Sequence, residues 1–227
     1  TAFGLKTRFL QTSFSLCLTT IIIISLADLG NAQESAPLTV EADELLEWDQ
    51  EKGTYKATGN AVAKQLDQQI KAKELVASYN PDSESRKITL IVATGAVEYV
   101  DGTSTAKGDK LTYQIDDERY KIEGEGSFVT GPNGTMRANK SIDFLSPTDD
   151  SQMVIAIGAA KYTDTEGQVV EGETINAHLD ANGALDTLDA AGNVRVLAVN
   201  GHVATGNKLS YDQKTSKALL TGNVEIL

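Results

Sequence analysis

The chain is poor in the residues on which catalysis and covalent bracing usually depend. Cys17 is its one cysteine, and it lies inside an apolar run near the N-terminus. An exported form would therefore be held by packing and backbone pairing alone. The two histidines, His178 and His202, stand 24 positions apart with no metal-ligand spacing. There is no Gly-x-Ser-x-Gly and no His-Glu-x-x-His. Glycines at 124, 126 and 131 lack the spacing of a phosphate loop, and no helical pattern follows them. Asp180-Ala181-Asn182-Gly183 begins like a calcium loop but lacks the later ligands, and so reads as a turn. Acids are plentiful, but most fall at alternating, solvent-facing strand positions, which disfavours the paired carboxylates of a glycosidase. No metal, cofactor or catalytic residue is expected. Basic residues are outnumbered 20 to 32, a net charge of −12, which argues against nucleic acid and against a charge-driven grip on anionic membranes.

The N-terminus has the marks of an export signal. Lys6 and Arg8 precede an apolar stretch from about Phe14 to Ala27, and Gly30-Asn31-Ala32 places small residues where a signal peptidase reads. The stretch falls short of the ~20 residues that span a bilayer. Residues 1–32 are accordingly predicted to be a cleaved signal peptide. Leu16, standing before Cys17 where a small residue is expected, argues against lipid attachment. After cleavage 18 basic and 31 acidic residues remain, a net charge of 18 − 31 = −13.

What the chain does contain is a weak repeat. Ala106, Gly108, Lys110, Leu111, Tyr113 and Gly124 recur as Ala204, Gly206, Lys208, Leu209, Tyr211 and Gly222, each displaced by 98 positions. Leu46, Trp48 and Gly59 share the 13-residue step from Leu to Gly. With looser copies, six units start at 42, 72, 106, 138, 171 and 204, a period of about 32 residues that belongs to stacked architectures. Such units bury their apolar faces against their neighbours, so function is expected on a long shared surface.

Within the units apolar residues alternate with polar ones: Leu111, Tyr113 and Ile115; Tyr120 and Ile122; Ile142 and Phe144; Met153, Ile155 and Ile157. This is the pattern of half-buried antiparallel strands. Asp101-Gly102, Asn133-Gly134, Asn182-Gly183 and Asn200-Gly201 read as hairpin turns with positive φ at both residues. Only four prolines interrupt the chain. Gln65 to Tyr79 has some helical spacing through Leu66 and Ile70, but Ala72 and Leu75 fall in repeat register and favour strand–turn–strand. The recurring glycines 59, 192 and 222 suit a bulge or corner at which a strand bends. One continuous all-β domain is expected from residue 36 to 227, a solenoid-like stack of repeated strand pairs.

Ala42-Asp43-Glu44-Leu45-Leu46-Glu47-Trp48-Asp49 leading to Ala57-Thr58-Gly59-Asn60, and Leu209-Ser210-Tyr211-Asp212 leading to Leu220-Thr221-Gly222-Asn223-Val224, resemble the LptA/OstA family of lipopolysaccharide-transport proteins. The likeness extends over residues 38 to 227. It implies an antiparallel β-jellyroll open at both ends, lying in the periplasm of Gram-negative bacteria. Such a protein carries lipopolysaccharide through an apolar groove between an inner-membrane transport complex and an outer-membrane translocon. Exposed strand edges at both ends would template head-to-tail self-association. The residues expected to line the interior and meet acyl chains are Leu46, Trp48, Leu111, Tyr113, Ile122, Phe128, Ile142, Phe144, Ile155, Ile157, Leu209 and Tyr211. The alternation stops abruptly at Leu227, from which a fragment lacking its last strands is expected. Two other readings stand beside the carrier: a docking module whose core is closed to lipid, such as the N-terminal domain of a larger translocon, and a polysaccharide-acting solenoid enzyme.

Overall fold

The computed structural model describes residues 22–24, 38–148 and 151–226. The predicted signal segment lies outside them, except that Ile22–Ile24 form a short strand, β1, antiparallel to the next. Eight strands are long: β4 (Thr54–Gln65), β5 (Gln68–Tyr79), β6 (Ile88–Asp101), β7 (Ser104–Gln114), β12 (Ser151–Thr163), β13 (Val169–Asp180), β14 (Leu185–Leu197) and β15 (Val203–Asp212). The others are shorter: β2 (Leu38–Glu41), β3 (Leu45–Asp49), β8 (Arg119–Glu123), β9 (Ser127–Gly131), β10 (Gly134–Ala138), β11 (Ser141–Thr148), β16 (Lys217–Thr221) and β17 (Glu225–Ile226). Every pairing is antiparallel, and together they form one continuous sheet. The chain is all-β, an antiparallel jellyroll built from stacked strand pairs.

Four of the long strands, β4, β6, β12 and β14, are each bent by a two-residue bulge opposite a single residue of the neighbouring strand, and the line of bulges divides the sheet into two facing halves. Pairing is interrupted between Thr58 and Ala61, Thr94 and Val97, Ile157 and Ala160, and Ala191 and Val194. At these breaks stand Gly59-Asn60, Gly95-Ala96, Gly158-Ala159 and Gly192-Asn193, all with positive φ. An extra residue opposite a single partner kinks a strand and increases its twist, and repeating the kink folds the sheet over along one line. Where no long strand crosses this corner, short ones serve. Strands β3, β8, β11 and β16 extend the first half, and β2, β9, β10 and β17 extend the second.

Directly paired residues share a face, so the register traces the interior across the molecule. On the first half one inward row runs Leu46, Ala57, Leu75, Ala93, Leu111, Ile122, Ile142, Ala156, Ile175, Ala190, Leu209, Leu220. Large and small side chains interleave along it, and Ala93, Leu111, Ala156 and Ile175 are wholly buried. On the second half the facing row runs Val40, Ala63, Ile70, Tyr99, Ala106, Val129, Met136, Tyr162, Val170, Val196, Ala204. The repeat now has a structural meaning. Leu46 opposite Ala57, Leu111 opposite Ile122 and Leu209 opposite Leu220 are the same rung of three hairpins, each reaching a corner glycine two residues later.

Two local expectations are resolved. Gln65 to Tyr79 is strand, turn and strand; Ala72 and Leu75 both face inward because the corner between them uses up one residue. The hairpin turns depart from the reading of two positive φ angles. Only the glycine adopts one, at Gly102, Gly183 and Gly201, while the residue before it keeps an ordinary φ. Nearby acceptors hold the turn instead: the Asp180 carboxylate accepts the Asn182 and Ala184 amides at 2.8 and 3.0 Å, and the Asn200 side-chain oxygen accepts that of His202 at 3.2 Å. The calcium-like motif is this turn.

Candidate functional site

The space between the two half-sheets is the candidate site. Two apolar clusters line it, one from Leu38 to Ile122 and one from Met136 to Leu209, with Val129 packed against both. Nine of the twelve sequence-predicted residues face this interior. Leu111, Ile122, Ile142 and Leu209 are buried in the corner-side row, which begins at Leu46. Trp48, Tyr113, Phe144 and Tyr211 belong to the next row toward the strand ends, where Trp48, Tyr55, Ala77, Ile91, Tyr113, Tyr120, Phe144, Val154, Ala177, Leu188 and Tyr211 are paired in series. Trp48 closes the row and is 43% exposed; it stacks on Tyr55, and its indole N–H donates to the Tyr79 hydroxyl at 2.7 Å.

Three expected residues face away. Ile155 and Ile157 pair with Asp143 and Ser141 on the outer face, while Val154 and Ala156 point inward. The register decides it: Ala156 pairs with Ile142 and Ile175 in the inward row, so its chain neighbours Ile155 and Ile157 take the opposite face. Phe128 is likewise outward, beneath the Arg137 guanidinium at 4.8 Å, because Ser127 and Val129 hold the inward parity of β9. The outer face also carries the buried Asp143 carboxylate, which accepts from Arg119 at 2.7 Å.

The interior is not one uniform channel. Tyr99 on the second half-sheet stacks against Tyr120 on the first at 5.3 Å, Tyr120 lies parallel to Tyr113 at 4.0 Å, and Phe144 meets Tyr120 edge-on at 6.4 Å. This aromatic wall bridges the sandwich and separates two chambers. The first, about 230 Å³, has Ile70, Ile88 and Ile91 with Lys87 and three glutamines at its rim. The second, about 500 Å³, has Met136, Val154, Tyr162, Ala177, Leu179 and Leu185, and no charged side chain lines it. Its mouth is spanned by a clasp: the Asn133 amide donates to the Gly183 carbonyl at 2.5 Å, and the Tyr162 hydroxyl donates to the Asn133 carbonyl at 2.6 Å. Sequence reading missed this half of the site. Tyr99, Tyr162 and Met136 alternate with charged neighbours, but nothing in their spacing says that they face Tyr120 and Val154 across the sandwich.

Burial raises the tyrosine hydroxyls. Tyr99, Tyr113 and Tyr120 are pushed well above the ordinary tyrosine range and Tyr162 up to about 12, because the anion would be stripped of water. An unfolded chain ionises these groups near 10. The unfolded state therefore releases protons first, so their contribution to stability is intact below that pH and declines above it. Alkaline unfolding is expected to begin above about pH 10, with phenolate absorbance rising together with loss of β-sheet dichroism. Phenolate from Tyr99, Tyr113 or Tyr120 at pH 10 in a fully folded chain, assigned by Tyr→Phe variants, would mean the wall is open to water.

Residues 39–143 match the profile of the family described as LptA/(LptD N-terminal domain) LPS transport protein. No curated protein matches the chain. Among solved structures, that of LptH, the LptA-homologous periplasmic component of the conserved lipopolysaccharide transport device from Pseudomonas aeruginosa, aligns at 12% identity over 85% of this chain and 94% of that one. The TM-score is 0.23, at which the likeness adds nothing to the fold described above.

Proposed function

We propose that this chain, which over residues 39–143 belongs to the LptA and LptD N-terminal-domain family of lipopolysaccharide-transport proteins, is a periplasmic carrier that passes lipopolysaccharide through the space between its half-sheets. The observation that carries the reading is the apolar space left between the half-sheets outside the corner, with chambers of about 230 and 500 Å³ lined by Ile70, Ile91 and Tyr113 in one and by Met136, Val154 and Ala177 in the other. With a net charge of −12 the chain has no general electrostatic attraction for an anionic glycolipid. Affinity would come from burying acyl chains, at about 0.8 kcal/mol per CH₂. Exposed apolar residues at the two ends of the stack, Leu45 and Trp48 at one and Leu219 and Ile226 at the other, support head-to-tail pairing and docking to membrane complexes. The tight packing of the corner favours a second reading for that part alone, a closed docking core.

The test is photo-crosslinking in cells, with a photoreactive residue replacing Phe144 or Val154 inside and Ile157 or Asp143 outside. Lipopolysaccharide adducts at the two inward positions only are the expected result. Folded protein without adducts at either inward position would favour the docking module.

A further inference from the structure

We propose, resting on the carrier reading, that the second chamber is a one-chain acyl site entered at the Asn133–Gly183 clasp, and that the Tyr99–Tyr120 stack is its end wall. Four observations converge on this chamber. Its volume, about 500 Å³, lies within the roughly 300–1,000 Å³ of small-molecule sites, whereas the first chamber at about 230 Å³ lies below it. In a chain that is 23% charged, its lining contains no Asp, Glu, Lys, Arg or His, which disfavours a phosphate, and its polar side chains, Ser104, Asn133, Gln152, Tyr162 and Asn182, are all neutral beside the apolar Met136, Val154, Ala177, Leu179 and Leu185. The first chamber, in contrast, has the charged Lys87 at its rim, which a hydrocarbon chain would strip of water.

The third observation is the wall. Tyr99 and Tyr120 come from opposite half-sheets, so their stack spans the full height of the sandwich, and Phe144 meets it from the second-chamber side. A chain lying along Met136, Val154 and Ala177 would end against Phe144, which the Tyr99–Tyr120 stack backs from the other side. The fourth is the mouth, where Asn133 and Gly183 belong to hairpin turns of opposite half-sheets and the bond between them crosses the opening. Parting that bond opens the chamber sideways without disturbing a strand. Gln152, Asn133 and Asn182 then stand at the rim, where an ester or amide linkage at the head of the chain would find partners.

The experiment is equilibrium titration of the purified chain with a fluorescent polyene fatty acid. Ala181, exposed on the mouth turn, is replaced by Trp to block the chamber without touching the core; Leu179→Trp fills it from the side. Each is expected to weaken binding on the order of tenfold. Gln68→Trp at the rim of the first chamber is expected to leave affinity within about twofold. Tyr99→Ala is expected to let longer fatty acids gain affinity after the unaltered chain has reached its plateau. Loss with Gln68→Trp but not with Ala181→Trp would overturn the chamber assignment and leave the carrier reading standing. Identical chain-length dependence with and without Tyr99 would overturn the wall. If the fatty acid does not bind while lipopolysaccharide crosslinks inside the sandwich in cells, this site falls alone; if neither occurs, both readings fall.

Discussion

Leu111→Ala is expected to destabilise the fold by about 3–4 kcal/mol, as measured by urea or thermal unfolding. Leu111 is 0% exposed and stands in the inward row between Ala93 and Ile122, so the lost side chain leaves a cavity that two short or rigid neighbours cannot fill. Against a total of about 5–15 kcal/mol this is a large fraction, and the melting temperature should fall by roughly 10 °C. The repeat supplies its own control. Leu209 and Leu46 occupy the same motif position, but Leu209 is 5% exposed and Leu46 only partly buried at the first hairpin. Their alanine variants should rank Leu111 first, then Leu209, with Leu46 costing about 1 kcal/mol. If Leu46→Ala cost as much as Leu111→Ala, burial could not be what the motif position contributes.

The second large effect lies at the corner, and it comes in opposite signs. Gly192 has φ +80°, and a Cβ there would come within 2.7 Å of Glu173 Cγ and 2.8 Å of its Cβ. Gly192→Ala should therefore cost about 2–4 kcal/mol, part from the left-handed backbone and part from displaced packing. The next residue at each bulge also holds positive φ, and here the chain is inconsistent: Asn60 and Asn193 suit the conformation, whereas Ala96 and Ala159 do not. Ala159 is exposed, so its side chain has room to change. Ala159→Asn is expected to stabilise by about 0.5–1 kcal/mol. A neutral or destabilising result for Ala159→Asn, beside a severe Gly192→Ala, would mean that the glycine is required for close packing only and not for its φ.

That corner is also where reading the sequence succeeds and fails. The glycines advertise a bend, and the Leu-to-Gly step places three hairpins in one register; both are local signals, carried by residues a few positions apart. The corner has no such signature away from its glycines, and on the strand opposite each bulge it shifts the parity of everything that follows. Ala57 and Ala61 on the bulged β4 are four apart and keep the alternation, whereas Ala72 and Leu75, which face them on β5, are three apart and both inward. This is why a stretch of strand can imitate helical spacing. Size alone misplaced Ile155 and Ile157: the larger residues of β12 are the outward ones, because the pairing register puts Ala156 in the inward row between Ile142 and Ile175.

What these residues determine by themselves is the alternation, the turns and the corner glycines, since each depends on backbone preference and on neighbours in the chain. They suffice for an all-β stack with one apolar face per strand. Which tyrosines meet as a wall, which turns close over the second chamber and which apolar face is the inner one are decided only when the two half-sheets come together. Tyr99 and Tyr120 are 21 residues apart, and Asn133 and Gly183 are 50 apart. Contacts of that range depend on the fold of the whole sheet, whose curvature accumulates bulge by bulge, so no local pattern encodes them.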